Sequence, residues 1–289
     1  MTHHDPTRAP VGRLARLGVV VDPEELGAAA VTRFADLAGI EIVWAMRLEG
    51  GDVIAVDPTP IQSAITRARL GAVVGIDGRP PTGAVEVTVD VGVDSPDAVR
   101  LVRDVAASLT VGVRIGSIAH RPDTVGALID LVDDIVLPAW RFPDLETAAD
   151  EVRAEAQEAG RDPATLGVAA LLPVSIGRTG TEAAARADGD PRFAILGHPR
   201  DVGIFGTLEE CQDRVIALAH AGITDLRCIL PAAPDVHDVI AQLTAVTIGT
   251  TEVLVPGSLR SPAPAPPEGW GGRPEQPPRQ RVSGGSRRR

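Results

Sequence analysis

The stretch Phe205-Gly-Thr-Leu-Glu-Glu-Cys-Gln-Asp-Arg-Val215, read on to Leu230, decides the fold. Thr207 is followed three residues later by Glu210, the spacing of a capping box. Beyond it, Leu208, Cys211, Val215 and Leu218 fall on one helical face. Gly222 stands where a left-handed C-cap ends a helix, and residues 223–230 have the apolar, β-branched look of a buried parallel strand. Helix, glycine, strand is half of a βα repeat.

The rest of the chain repeats it. Apolar runs at 17–21, 40–46, 72–76, 84–92, 110–115, 134–137, 166–176 and 223–230 read as strands. Helical patterns follow at 23–38, 60–69, 96–107, 121–131, 144–159, 180–187, 207–221 and 235–245, with Asp22 and Asp144 as N-caps. In the helix after Asp144, the inward face is Leu145, Ala148, Val152 and Ala156. Leu37-Ala-Gly-Ile40 and His220-Ala-Gly-Ile223 are the same junction near opposite ends of the chain. Residues 47–57 read as a loop, 188–204 as irregular, and 247–254 as a further short strand or an extended exit. Eight alternating units predict an α/β fold, a (β/α)₈ TIM-type barrel of parallel strands. The rival, an open doubly wound sheet, would show a glycine-rich fingerprint after its first strand, where this chain has Asp22-Pro-Glu-Glu. The expected organisation is a disordered N-terminus at 1–13, a barrel at 14–255 and a disordered Pro/Gly/Arg-rich tail at 256–289.

The 289 residues are 44% hydrophobic, enough for a large core, and carry a net charge of −11. Residues 256–289 hold seven Arg against two Glu, so the acidic excess lies wholly in the remainder. An acidic body repels phosphate backbones, and no nucleic-acid partner is expected for it. No apolar run approaches the roughly 18 residues of a membrane span, and the N-terminus lacks the regions of a signal peptide. A cytoplasmic protein with no membrane partner is expected. Lys, Tyr and Asn are absent, which excludes a Schiff-base lysine, a G-x-x-x-x-G-K phosphate loop and N-glycosylation. Cys211 and Cys228, the only cysteines, read as buried core thiols.

In a barrel the chemistry sits where the strands end at their C-termini. That rule selects Asp22, Arg47, Asp94, Ser95, His120, Trp140, Arg141, Gly177 and Arg178. Ser95, before Pro96, sits where helix N-terminal N–H groups would meet a phosphate, though it also serves as a plain N-cap. Arg178, in Ile176-Gly-Arg-Thr-Gly180, suits a phosphate or carboxylate, or is a solvated loop arginine. Arg47 stands near Glu49 and Asp52, and could equally pair with one of them. His198 is placed over the barrel mouth. The six His are scattered without metal-ligand spacing, no G-x-S-x-G occurs, and an organic cofactor suits the composition better than hydrolysis.

Four segments in order resemble the luciferase-like monooxygenases, the flavin- or deazaflavin-dependent barrel enzymes. They are Arg33-Phe-Ala-Asp-Leu-Ala-Gly-Ile-Glu-Ile-Val-Trp44, Val152 to Leu166 with its Gly-Arg-Asp-Pro turn, Gly180-Thr-Glu-Ala-Ala-Ala-Arg186, and Phe205-Gly-Thr-Leu-Glu-Glu with Ala221-Gly-Ile-Thr-Asp-Leu226. Gly92-Val-Asp-Ser-Pro96 is similar to the family's phosphate turn, with Asp94 added. The resemblance implies an oxidoreductase acting on a small organic substrate, as an oxygenase or a deazaflavin-dependent reductase, with FMN or a deazaflavin coenzyme. It places His120 and Arg47 near the ring as catalytic residues. It assigns Gly92, Asp94, Ser95, Gly177 and Arg178 to cofactor binding, and Trp140, Arg141 and His198 to the substrate pocket. No metal is implied, and a homodimer is compatible with this reading. The alternative is a cofactor-less barrel of the same descent that serves as a binding or scaffolding protein, suggested by Asp94 in the phosphate turn and by only seven Trp and Phe.

The basic tail has no partner in this reading. Truncation before Gly257 is expected to leave oligomeric state, solubility and melting temperature unchanged, measured by size-exclusion chromatography and thermal denaturation.

Overall fold

A computed structural model describes residues 16–24, 40–65, 68–75, 83–90, 98–110, 112–121, 125–232 and 236–254. Eight strands form one closed parallel ring. They are β1 (Arg16–Val21), β2 (Ile42–Ala45), β5 (Arg69–Val74), β6 (Glu86–Val89), β7 (Arg114–Ile118), β8 (Asp134–Pro138), β9 (Gly167–Ile176) and β11 (Asp225–Ile229). Each pairs in parallel with the next, and β11 closes the ring on β1 with Leu17 opposite Leu226 and Val19 opposite Cys228. The (β/α)₈ barrel expected from the alternation is therefore the fold. Most strand residues are buried on both faces, which is why the strands read as continuous apolar runs.

The helices on the outside follow the expected caps. Helix α3 (Leu145–Glu158) starts at Asp144, which accepts from Thr147 N at 3.0 Å, and all four expected inward residues are buried. Helix α7 (Leu208–His220) carries the complete capping box of Thr207 and Glu210, and the chain leaves it through Gly222 at φ 79°. Cys211, Val215 and Leu218 are buried on its inner face, but Leu208 is exposed, because the first turn stands beside β10 (Ile204–Gly206), beyond the ring. Both thiols are buried. Burial pushes Cys211 up to about 12 and raises Cys228 as well, so neither is a ready nucleophile.

Other elements differ from the sequence reading. Residues 47–57 contain a hairpin, β3 (Arg47–Glu49) and β4 (Asp52–Ile54), turned by Gly50 and Gly51 at φ 61° and 87°. Helix α1 (Thr59–Ala64) is shorter than expected. β7 starts four residues late, after a turn at Gly112 with φ 92°. In place of a helix over 121–131 only a 3₁₀ turn at Ile129–Leu131 is described. The Arg161 guanidinium takes the carbonyls of Ile129 and Val132 there, the acceptors a continuing helix would use. Helix α2 (Ala98–Ser108) and helix α4 (Gly180–Asp188) are as expected, whereas 188–204 holds two single-turn helices, α5 (Phe193–Leu196) and α6 (Pro199–Val202), before β10. The last helix, α8 (Val236–Leu254), runs through 247–254. Those residues favour strand locally, but they continue α8 instead. The helix expected at 23–38, with most of its residues, the turn at 92–96, and the two termini lie outside the described residues.

Inside the ring the chain separates charge from apolar surface. Trp44 on β2 lies between β1 and β5, opposite Val20 and Gly71 in register, with Gly18 the diagonal neighbour against its ring. A Cβ at Gly71 would come 2.6 Å from its ring, and one at Gly18 2.9 Å. The Arg227 guanidinium sits 3.6 Å from the Trp44 ring centroid and donates to Thr88 Oγ1 at 2.7 Å. A desolvated stack of this kind is worth about 2 kcal/mol. Burial still pulls the Arg227 pKa down to about 10. At the N-terminal end of the ring, Arg16 pairs with Glu86 and with Asp225 (2.5 Å), and Arg114 with Asp134 (2.5 Å). Burial pushes the Asp225 carboxyl up to about 6, against the opposing pull of Arg16, and raises Asp134 too.

These raised acids give stability a definite pH slope. Between the unfolded Asp value of 3.8 and about 6, the folded chain keeps a proton on Asp225 that the unfolded chain has released, so stability rises as pH falls through that window. Asp144, Asp190 and Glu210 are held below their ordinary values and act only at lower pH. The melting temperature should climb by a few degrees from pH 8 to pH 5, and Asp225→Asn should flatten that slope in a calorimetric pH series.

Candidate active site at the C-terminal rim of the barrel

At the opposite end of the ring, residues that close the strands form a polar row. Asp90 follows β6, His120 follows β7, and Trp140 and Arg141 follow β8. His120 Nε2 lies 2.5 Å from Asp90 Oδ1, and the Arg141 guanidinium meets His120 Nδ1. A guanidinium can only donate, so Nδ1 is an acceptor and the ring proton is on Nε2, given to Asp90. The His120 side chain is 5% exposed and held in one tautomer from both sides. Arg141 continues the row to the β3–β4 hairpin, donating to Gly51 O at 3.2 Å and to Asp52 Oδ1 at 2.6 Å. Trp140 Nε1 donates to the same carbonyl at 2.9 Å.

The hairpin and the 188–204 segment bring apolar side chains over the mouth. Leu48 and Val53 of the hairpin join Met46, Val73, Ile118 and Ile229 in one cluster, with Phe193, Leu196 and Trp140. Arg47 at the hairpin base is ion-paired to Asp22 (2.8 Å) and Glu24 (2.5 Å), rather than to Glu49 or Asp52. The 188–204 segment is anchored by Asp190, whose carboxylate is 1% exposed. It accepts from Ala232 N at 2.8 Å and from three nitrogens of Arg192, which itself reaches Leu230 O at 2.8 Å. Burial alone would raise this carboxyl, yet the Arg192 and Ala232 donors hold it below the usual range.

Thus His120, Trp140 and Arg141 come together, and Arg47 lies at the base of the same hairpin. His198 sits farther out on 188–204, 5.4 Å from the Phe205 ring and 3.4 Å from Asp188. Gly177 and Arg178 stand past the C-terminal end of the ring. β9 pairs with the barrel only as far as Pro173, and Val174 to Ile176 run on against β10, about 10 Å past the ring. Gly177 is packed so tightly there that a Cβ would come 2.6 Å from Ala183 N, and the Arg178 side chain is exposed. Gly92, Asp94 and Ser95 lie outside the described residues. Asp90 and Asp52 were not among the candidates from sequence. Asp90 was hidden because the strand was read through to Gly92; ending it one residue earlier than Asp90 exposes a carboxylate at a strand terminus.

Beside this wall lies a cleft of about 630 Å³ between the starts of α3 and α7. Its acids are mostly engaged: Asp144 and Glu210 cap helices, and Glu146 pairs with Arg214. Arg200, over the Phe205 ring at 4.8 Å, has no carboxylate partner among the described residues.

At the rim an apolar cluster stands beside directed donors, the chemistry a flavin-type ring would use, but the cluster is buried and the Trp140 and Arg141 donors are taken by the hairpin. Among the described residues there is no cradle for its phosphate at the mouth itself. No described helix is long and apolar enough to cross a membrane.

Asp190→Ala is expected to cost about 1–3 kcal/mol by leaving the Ala232 N–H and Arg192 without their acceptor. Proteolysis within 188–204 should quicken before the global melting temperature falls by more than a few degrees.

No protein-family model matches the sequence, and the curated proteins contain no match to it. Solved structures match well. The coenzyme F420-dependent tetrahydromethanopterin reductase from Methanopyrus kandleri superposes with TM-score 0.60 at 13% identity, over 82% of this chain and 99% of that one. An F420-dependent secondary alcohol dehydrogenase gives 0.58 at 13% identity, over 82% and 99%. A monooxygenase from Streptomyces bottropensis gives 0.56 at 14% identity, over 80% and 98%. The chain shares the (β/α)₈ barrel fold of these structures.

Proposed function

We propose that the protein is a flavin- or deazaflavin-dependent oxidoreductase acting on a small organic substrate at the C-terminal mouth of the barrel. The observation that carries this reading is the Asp90–His120–Arg141 row standing beside an apolar floor at the strand ends. Flavin rings need a dry, flat surface on one side and a few directed hydrogen-bond donors at the edge. The solved structures of similar fold support it, since they include F420-dependent enzymes and a riboflavin lyase with a modified FMN.

In this reading Trp140 is a wall of the pocket and Arg141 faces the polar edge of the ring. His120 holds Arg141 in place, and Arg47 fixes the hairpin that excludes water. Gly92, Asp94 and Ser95 would meet the phosphate, with Gly177, Arg178 and His198 nearer the outer end of a longer coenzyme. The bound group would supply the hydride or the reduced ring that reacts with oxygen; the protein supplies placement and a low-dielectric site.

Purified protein should bind at least one of oxidised FMN, reduced FMN and a deazaflavin coenzyme saturably below about 100 µM, an affinity near 5–6 kcal/mol. Arg141→Ala should weaken that binding about tenfold or more, as expected for a lost charged hydrogen bond. Absence of binding to all three at high micromolar concentration, by fluorescence titration, overturns the reading.

A further inference from the structure

The row at the rim does more than line a pocket: it is the fastening of the hairpin that covers it. The tip of the β3–β4 hairpin meets the barrel through Gly51 O, which accepts from Trp140 Nε1 and from Arg141, and through Asp52, which pairs with Arg141. Arg141 in turn depends on an unprotonated His120 Nδ1, and His120 on Asp90. Every link is directional. Arg141 cannot accept a proton, so the contact with Nδ1 exists only while His120 is neutral.

We propose that Asp90 and His120 are positioning residues for Arg141, and that Arg141 is a proton-sensitive latch holding the β3–β4 hairpin across the barrel mouth. The latch is closed while His120 is neutral and released when His120 Nδ1 takes a proton from solvent. The imidazolium then presents an N–H to a guanidinium, two cations in contact at a site 5% exposed on the histidine side and 19% on the arginine side. Arg141 must swing away, and its arms to Gly51 and Asp52 go with it. The charged groups bonded to this row include Asp90 from the end of β6, Arg141 from the end of β8, and Asp52 from the hairpin behind it, with Arg121 next to His120 in the chain. Asp90 favours the imidazolium and Arg141 opposes it, so the balance between them sets where the latch opens. The hairpin base stays attached in both states, because Arg47 keeps its ion pairs with Asp22 and Glu24.

Trp140 reports the latch directly, because its indole N–H is bonded to the hairpin tip. Its emission, taken as the difference between the full chain and Trp140→Phe, should change reversibly in a one-proton step between about pH 7 and 5, the histidine range. Arg141→Ala should show the released signal already at pH 8. His120→Gln, whose carbonyl can accept from Arg141 while its amide donates to Asp90, should stay latched and flat across the range. Asp90→Asn should move the midpoint down by about one pH unit. Circular dichroism at pH 8 checks that each variant is folded, and if His120→Gln is not, the Asp90→Asn midpoint decides. A flat wild-type signal, a step retained in folded His120→Gln, an unmoved Asp90→Asn midpoint, or an Arg141→Ala signal equal to wild type at pH 8 overturns the latch. The measurement needs no cofactor, so a failed flavin titration and a failed latch are separate results.

Discussion

The Trp44 indole, flanked by Gly18 and Gly71 and stacked on Arg227, is the contact on which the rest of the molecule depends. Eight strands enclose a volume that side chains must fill without voids, and here one aromatic ring and one arginine do much of it. The two glycines are the geometric condition, since a methyl group on either would sit in the ring. Below this layer the ring holds Arg16, Glu86, Asp134 and Asp225; above it lie Met46, Val73, Ile118 and Ile229. The indole keeps an ionic base and an apolar mouth apart. Without that partition, the buried acids would share a compartment with the surface on which a planar ligand is proposed to lie.

The rim is built by a different logic. Its polar groups are few, and each is bonded to a group from another loop. Asp90, His120 and Arg141 come from three consecutive strand ends, and Asp52 from the hairpin after the second strand. A side chain with both ends occupied is well placed to orient a neighbour and poorly placed to exchange protons with a ligand. His120 is such a group, bonded to Asp90 through Nε2 and to Arg141 through Nδ1.

Much of the fold was legible because local and global preferences agree. Thr207 with Glu210, Asp144 before its helix, and Gly222 after one are short-range devices that need no tertiary information. What was misread turned mostly on contacts from far along the chain. Arg161, 29 residues beyond Val132 in the chain, takes the carbonyls at the end of the 3₁₀ turn before β8. Residues 247–254 are drawn into the end of α8 despite their local strand preference. β9 outruns its barrel neighbours because β10 returns to pair with it, which places Gly177 and Arg178 past the end of the ring. The hairpin is a different case. Glu49-Gly-Gly-Asp52 carries the turn signal, but its flanks are only three residues each, too short to stand out as strands. At the rim, strand-end position alone selects His120, Trp140 and Arg141, which the structure brings into one row with Asp90, a residue that a strand drawn through to Gly92 conceals.

The overrun of β9 makes the two flanks of the opening mechanically unlike. On one flank, three extra rungs of backbone pairing and the Asp190 anchor form a fixed jamb. On the other, a three-residue ribbon hangs from its base like a shutter. Loosening of the rim would therefore start at the hairpin, whose tip is held by side chains, and not at β9, whose overrun is held by backbone pairing.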